Sequence, residues 1–350
     1  MSNLEREPAE LVCPPALPQA SPARILEPRD VPLGGPRAMG VRRTLPQRGR
    51  TTIGAWCFID HYGPDDVAVT GGMVVPPHPH TGLQTVSWLF EGEVEHRDSV
   101  GSHAFVVPGD VNLMTAGHGI SHSEISTPET TVLHGVQLWT VLPDASRDVA
   151  PFFENATTTP VAVDDATVRV FVGELEGAPP GTVTTFSPLV AAQIDVPEGG
   201  EAWIPLDPDF EHGFLVDAGP AHLTFAALER EVDPAGENDD PLSETGHTID
   251  VARNELAFLT TGHEGVRVRA TAGPVRLVLV GGTPFEEEIV MWWNFIGRDH
   301  DEIVAFRAQW EQDVIAGADP SGRFGAVGDS GDPLPAPVLP GIRLKPRNER

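Results

Sequence analysis

Short apolar segments separated by turn residues run through most of this chain. Glycine and proline contribute 36 and 35 of the 350 residues, and they fall between the apolar segments instead of inside long ones. Turn residues at such frequent intervals are typical of many short strands and not of long helices. The pattern predicts strands near residues 55–59, 73–75, 85–90, 104–107, 111–114 and 133–141, and a second set near 168–172, 189–196, 213–216, 221–228, 256–259, 266–270 and 275–280.

The two sets of strands resemble each other in sequence. Residues 109–118 read GDVNLMTAGH and residues 254–263 read NELAFLTTGH, in register at a spacing of 145. A repeat at this spacing, with this number of short strands, indicates a duplicated β-barrel. We therefore expect an all-β protein with two barrels in tandem.

The ends of the chain follow other patterns. After Pro284, Ile303, Phe306 and Trp310 fall near helical spacing, and Asp299 or Asp301 could cap a helix that runs to about residue 316. Gly, Pro and Asp dominate from residue 317 onward, which predicts an irregular tail, and the acidic segment 233–247 reads as a surface loop. We divide the chain into an irregular leader (1–30), a first barrel (31–160), a second barrel (161–285), a C-terminal helical segment (286–316) and the tail (317–350).

Charge and cysteine content argue against several classes of function and location. The chain has 51 acidic residues against 23 lysines and arginines, a formal net charge of −28, which argues against non-specific binding to nucleic acid or to anionic membranes. The two cysteines, Cys13 and Cys57, form no disulfide framework, and no apolar run approaches membrane length. We expect a cytoplasmic protein with no membrane association.

Two short pairs carry the chemistry of the chain: His78-Pro79-His80 and His122-Ser123-Glu124. Side chains two apart in a strand point to the same face, so each pair presents two metal-ligand groups from one surface. Three imidazoles and a carboxylate suit a divalent transition metal and leave positions for a small molecule or dioxygen. A single histidine in a β protein is usually structural or exposed, but four ligand types in two same-face pairs favour a metal site.

Other polar residues near these pairs have simpler interpretations. His118 lies in a Gly-His-Gly turn and has a counterpart, His263, in the second copy, which favours a turn role. The second copy has no His-x-His, and Arg267 and Arg269 stand where the first copy has its His-x-Glu pair. We therefore expect the metal in the first barrel and a structural or regulatory second barrel.

Longer motifs resemble a known family. The strings PHPHTGLQTVSWLFEGEVEHRDSVGS, PGDVNLMTAGHGISHSE and VRRTLPQRGRTTIGAWCFIDHYGP are similar to the signature of the pirin family, a branch of the cupin superfamily. The resemblance covers roughly residues 37 to 315. It implies two cupin-type β-barrel (jelly-roll) domains with a short C-terminal helix. It also implies a metal in the N-terminal barrel, most often Fe(II), with Mn, Ni, Cu, Co or Zn as alternatives, held by His78, His80, His122 and Glu124.

A departure from the general cupin pattern concerns the anionic ligand. Ordinary cupins take a glutamate four residues after the second histidine, where this chain has Gln84. Glu124 must then supply the negative charge. Gln84 is read equally well as a residue that orients a metal-bound ligand or as a packing amide.

The resemblance leaves two functions open. Several pirins act as quercetin 2,3-dioxygenases, so this chain is expected to be an iron-dependent enzyme that cleaves a flavonol-like substrate with O2, with Glu124 as candidate general base. Alternatively, it is a metal- and redox-dependent regulator that binds a transcription factor or a metabolic enzyme, as other pirins do. In either case we expect a monomer.

Overall fold

A computed structural model describes residues 23–33, 39–225, 247–328 and 330–346. Its strands up to the end of the first barrel are β1 Ala23–Leu26, β2 Arg29–Leu33, β3 Met39–Leu45, β4 Trp56–Asp66, β5 Val74–His80, β6 Leu83–Glu91, β7 Val94–Asp98, β8 His103–Val106, β9 Asp110–Thr115, β10 Ile120–Ser126, β11 Val132–Val141 and β12 Phe152–Thr157, with a one-turn helix α1 at Val67–Thr70. The later strands are β13 Val161–Val163, β14 Ala166–Gly173, β15 Leu189–Val196, β16 Glu201–Pro205, β17 Glu211–Ala218, β18 Ala221–Phe225, β19 His247–Val251, β20 Leu256–Leu259, β21 Gly265–Arg269, β22 Val275–Gly282, β23 Val290–Trp292 and β24 Phe295–Gly297.

These strands form two barrels with matching sheet orders. In the first, a seven-stranded sheet runs β12-β9-β6-β11-β4-β3-β2 and a four-stranded sheet runs β5-β10-β7-β8. In the second, the corresponding orders are β1-β20-β17-β22-β15-β14-β13 and β16-β21-β18-β19. The predicted all-β fold of two tandem barrels is confirmed, and the corresponding strands of these four sheets pair in the same order.

The chain before the first barrel differs from the sequence prediction. Strand β1 pairs with β20 at the edge of the second barrel, and β2 pairs with β3 at the edge of the first. The prediction of an irregular leader is therefore wrong for residues 23–26 and 29–30. Because β1 pairs with a strand more than 200 residues away, its four-residue pattern could not reveal it. The rest of the predicted leader, residues 1–22, lies outside the described residues, as does most of the predicted acidic loop 233–247.

The two barrels share a buried apolar interface. One core cluster combines Trp56, Trp88 and Val136 of the first barrel with Phe171 and Val280 of the second. The rings of Trp88 and Phe171 stack with centroids 4.5 Å apart, and the Trp56 indole N–H donates to the carbonyl of Gly281 at 3.0 Å. The barrels are thus packed as two halves of one body.

The C-terminal region begins with a hairpin of β23 and β24. Helix α2 follows at His300–Trp310 and continues as a π-helical turn at Glu311–Ile315. The Asp299 carboxylate accepts the N–H of Glu302 at 2.9 Å, which confirms the predicted cap. The predicted helical segment 286–316 is wrong before residue 300, because the apolar residues there pair as strands. Neither described helix is long and apolar enough to cross a membrane.

The irregular residues after the helix lie along the strands of the first barrel. The N–H of Leu334 donates to the carbonyl of Pro77 at 2.8 Å, beside the His-x-His pair. Arg323 donates to the carbonyl of His118 at 2.6 Å, and Ser121 donates to the carbonyl of Gly325 at 3.0 Å. The tail therefore covers the ends of β5 and β10.

Candidate metal centre

Strands β5 and β10 place the two predicted pairs side by side. They are antiparallel neighbours, with His78 opposite His122 and His80 opposite Ile120. Beyond this pair the register shifts, because β5 has one residue more between His78 and Val75 than β10 has between their partners His122 and Glu124. Because residues two apart share a face of a strand, His78 and His80 reach His122 across the ladder.

The three histidines converge in the interior of the barrel. Their ring centroids are 5.1 Å apart for His78 and His80, 4.3 Å for His78 and His122, and 5.0 Å for His80 and His122. One ring nitrogen from each lies within 4.8 Å of the others, and all three residues are fully buried. This compact arrangement is the geometry that a single ion requires.

Backbone carbonyls orient two of these rings. His78 Nδ1 lies 2.9 Å from the carbonyl oxygen of Pro76, and His80 Nδ1 lies 3.2 Å from that of Asn294 in the turn between β23 and β24. Each Nδ1 therefore carries the proton and donates it, which leaves Nε2 with a free lone pair. The Nε2 atoms of His78, His80 and His122 are all buried without a hydrogen-bond partner. Three unpartnered buried acceptors at one point fit a bound cation.

The third ring is oriented by a side chain that the sequence did not single out. His122 Nδ1 lies 3.4 Å from Nδ1 of His96, whose Nε2 lies 3.2 Å from Asp98. If His96 donates to Asp98, its Nδ1 accepts from His122, and His122 Nε2 stays free like the other two. His96 and Asp98 alternate on β7 with period two, the same signal that revealed His78 and His80.

Burial keeps the cluster uncharged. It lowers the pKa of His78 to about 3, and it lowers the pKa values of His80 and His122 well below the usual value. Near neutral pH the three imidazoles are therefore neutral and available as ligands.

Glu124 lies at the edge of this cluster. Its carboxylate groups with His122 and His96, each offering a ligand atom within 4.8 Å of the others, and not with all three histidines at once. Ser87 Oγ lies 3.2 Å from Glu124 Oε1 and 2.8 Å from Gln137 Oε1, so its single proton can serve either acceptor. The carboxylate is buried beside the imidazoles, where it supplies a negative charge.

Gln84 and His118 stand apart from the cluster. The Gln84 amide donates to Thr115 Oγ1 and to the carbonyl of Thr184 in the second half of the chain, both at 2.9 Å. This favours the packing interpretation of Gln84. His118 joins the surrounding structure through its backbone, donating to the carbonyl of Val149 at 3.1 Å and accepting from Arg323.

The second barrel has different residues at the matching positions. Gly265, which follows Ile120 by 145 residues, pairs with Pro205 as Ile120 pairs with His80. Arg267 pairs with Trp203 where His122 pairs with His78. The interior is filled by apolar side chains, including those of Ile204, Phe214, Leu223, Val266, Val268 and Leu279. Among the described residues, no histidine cluster forms there.

A second group of potential ligands lies between the barrels. His61 and His134 of the first barrel both approach Asp217 of the second, with Nε2-to-Oδ1 distances of 2.7 and 2.5 Å. These are direct hydrogen-bond distances, shorter than two ligands of one ion would show. Each imidazole already has its partner, in contrast to the three free Nε2 atoms described above. We therefore interpret this group as a polar contact between the barrels.

Comparison with known proteins places these features in a family. The model of the family described as Pirin matches residues 38–140, and the model described as Pirin C-terminal cupin domain matches residues 235–315. A Pseudomonas aeruginosa protein named "Putative quercetin 2,3-dioxygenase" is 38% identical over 313 residues, covering 89% of each chain. A pirin-like protein of Caulobacter vibrioides is 31% identical over 283 residues, covering 77% of this chain and 88% of its own.

A solved structure has the same fold as this chain. The crystal structure of a quercetin 2,3-dioxygenase from Acinetobacter baumannii is 36% identical, with a TM-score of 0.78 over 92% of this chain and 97% of the other.

Proposed function

Because the chain belongs to the pirin family, we propose that it is a metal-dependent dioxygenase that cleaves a flavonol-type substrate. The proposed metal ligands are His78, His80, His122 and Glu124. The observation that carries the proposal is the set of three buried, unpartnered Nε2 atoms on β5 and β10. The similarity to proteins named as quercetin 2,3-dioxygenases supports the substrate class.

Fe(II) is the metal we propose, with Mn, Ni, Cu, Co or Zn as alternatives. A redox-active ion in this site would supply the dioxygen chemistry that side chains alone cannot perform. Neutral imidazoles with one carboxylate leave a divalent site with about one net positive charge, which favours an anionic phenolate ligand.

The protein's own residues prepare the substrate. The flavonol hydroxyl must lose its proton, and the Glu124 carboxylate, which groups with His122, is the base that we propose. Ser87 can donate to that carboxylate and hold it in place, or turn its proton toward Gln137 when Glu124 becomes protonated. Glu124 is therefore proposed both as ligand and as general base.

The surroundings of the site are aromatic and exclude water. The edge of His80 faces the Trp139 ring, with centroids 5.0 Å apart, and Phe153 stacks on His96 at 4.4 Å. The four proposed ligands, His78, His80, His122 and Glu124, are at most 2% exposed. Low water content strengthens electrostatic interactions with a phenolate and protects reactive species from hydrolysis.

The test is turnover with defined metals. Protein freed of metal is reloaded without oxygen with iron, manganese, nickel, cobalt or copper, then mixed with quercetin and air. Oxygen uptake, loss of the flavonol absorbance and release of carbon monoxide are followed together. No turnover with any of these metals would refute the proposed activity.

Variants separate ligation from base catalysis. Glu124→Ala should lose metal, and His122→Ala should behave alike, whereas His118→Ala should retain both metal and turnover because its contacts are made by the backbone. Glu124→Gln keeps the size of the side chain but removes the base, so its rate should fall more than its metal content. Full metal content in Glu124→Ala would show that this residue is not a ligand.

A further inference from the structure

A large cavity opens among the loops at one end of the second barrel, outside its packed core and away from the three histidines. Its volume is about 970 Å³, near the upper end of the range of small-molecule pockets. The walls come from the segment between β14 and β15 and from the turn between β16 and β17. Apolar side chains form much of the lining: Leu175, Ala178, Leu189, Val190, Leu206 and Phe210. None of its lining residues belongs to the proposed metal site.

The charged groups of this cavity all have one sign. Glu174, Glu176 and Asp207 line it, and no Lys or Arg is among the described lining residues. Glu174 and Glu176 are exposed at the rim, on the segment that follows β14. The acidic rim repels anions and attracts cations, and the net charge of −28 adds to the same field.

A buried histidine also borders the cavity. His212, on β17, is only 1% exposed, and its Nδ1 has no hydrogen-bond partner. Burial lowers the pKa of His212 to about 3, with a smaller contribution from His263, so the imidazole is neutral near pH 7. His212 therefore adds no positive charge to the wall of the cavity.

We propose that this cavity is a second ligand site, which takes an organic cation: an amine attached to a flat aromatic body. The apolar walls and the ring of Phe210 receive the aromatic body. The carboxylates of Glu174, Glu176 and Asp207 receive the ammonium group, which has only donors and therefore needs acceptors. The site is independent of the proposed dioxygenase activity, because the two share no residue.

Three indole compounds that differ only in the end group test the charge requirement. Tryptamine is the cation, tryptophol the neutral analogue and indole-3-propionate the anion. Ligand-observed NMR titrations on the full-length protein should show tryptamine binding about tenfold more tightly than indole-3-propionate, with tryptophol between them. The difference should shrink as salt is raised. Equal affinity for the three compounds, or binding of none at millimolar concentration, would overturn the proposal.

Variants locate the binding. Glu174→Gln with Glu176→Gln should weaken tryptamine binding about three- to tenfold and leave tryptophol almost unchanged. The matched control, Glu198→Gln with Glu288→Gln, removes two exposed acids that do not line the cavity and should bind as the native protein does. Ala178→Trp adds an indole ring to the lining of the cavity and should weaken binding of both compounds. Undiminished binding in Ala178→Trp would place the ligand elsewhere.

A variant of the metal site separates the two proposals. Glu124→Ala should bind tryptamine with native affinity even though we expect it to lose metal and turnover. If Glu124→Ala lost tryptamine binding as well while remaining folded, the cavity would not be an independent site. If turnover failed but tryptamine bound, only the proposal of dioxygenase activity would be refuted.

Discussion

Replacing Asp217 by Ala should strongly destabilise the protein, because this carboxylate ties the two barrels together. Asp217 lies on β17 in the second barrel and is completely buried. Its Oδ1 accepts from His61 and from His134 of the first barrel, and its Oδ2 lies 3.3 Å from Arg276. Burial raises the pKa of Asp217, but the hydrogen bonds from His134 and His61 more than reverse this and hold it below the usual value. The group is thus anionic in the folded protein.

The size of the effect follows from the donors left behind. Asp217→Ala leaves two buried imidazole N–H groups without an acceptor, at about 1–3 kcal/mol each. Breaking a buried charged contact by removing one partner costs about 3–5 kcal/mol in total. We therefore expect the free energy of unfolding to fall by about 4 kcal/mol. Asp217→Asn keeps an acceptor at Oδ1 but loses the charge, so it should fall between Asp217→Ala and the native protein.

Urea unfolding followed by tryptophan fluorescence measures this directly. Trp56 and Trp88 lie in the interface between the barrels, so their emission reports its opening. The matched control is Asp195→Asn, which removes a carboxylate 2.9 Å from the same Arg276 but one-third exposed. We expect it to cost less than about 1 kcal/mol. The reasoning would be refuted if Asp217→Ala were as mild as Asp195→Asn.

Three further predictions address separate parts of the molecule. His96→Ala should weaken metal binding about 10- to 100-fold in a chelator competition, because His122 loses its orienting partner, whereas exposed His103→Ala should not. His212→Leu should make the protein less sensitive to acid. The pKa of His212 is about 3 in the folded protein and about 6.5 in the unfolded chain, so this residue lowers the free energy of unfolding by up to about 1.4 kcal/mol per pH unit as the pH falls between these values. Unfolding curves from pH 7 to 4 should show a correspondingly smaller loss in the variant, in which the buried histidines of the metal site still contribute theirs. Gly54→Ala should lower the melting temperature more than Gly101→Ala does. Both glycines have a positive φ, +51° and +93°, but a Cβ at residue 54 would lie 2.7 Å from the Cα of Gly282 in the second barrel, whereas a Cβ at residue 101 would lie in open space. Equal effects would mean that the barrels do not meet tightly at Gly54.

Local patterns predicted the parts of this structure that depend on local geometry. His78 and His80 share a face because any extended strand alternates its side chains, and turn residues on both sides marked the strands. Their convergence with His122 requires in addition that the two strands lie together, and in the structure β5 and β10 are paired neighbours. The cap of the C-terminal helix at Asp299 was equally local.

The features that the sequence missed depend on distant partners. Strand β1 exists because β20 offers it an edge, and Asp217 is buried because two histidines of the other barrel approach it. Nothing near residue 217 in the sequence distinguishes this aspartate from an exposed one. The register shift beyond His122 also depends on a distant partner, because it arises from how β10 pairs with β5 and not from the composition of either strand alone. Glu124 groups with His96 because the two residues are paired directly on the ladder between β10 and β7.

The two duplicated barrels share a fold, but the candidate metal site lies in the first one. Both barrels keep the same strand order, so the fold itself does not require the histidines. In the second barrel, apolar packing fills the interior, and this barrel instead provides groups that the first one uses: Asp217 for His61 and His134, and the carbonyl of Thr184 for Gln84. Separating the barrels would expose Trp56 and Trp88, each worth about 1.5–3 kcal/mol or more when buried. The second barrel therefore stabilises the first, whose interior holds polar ligand groups in place of part of an apolar core.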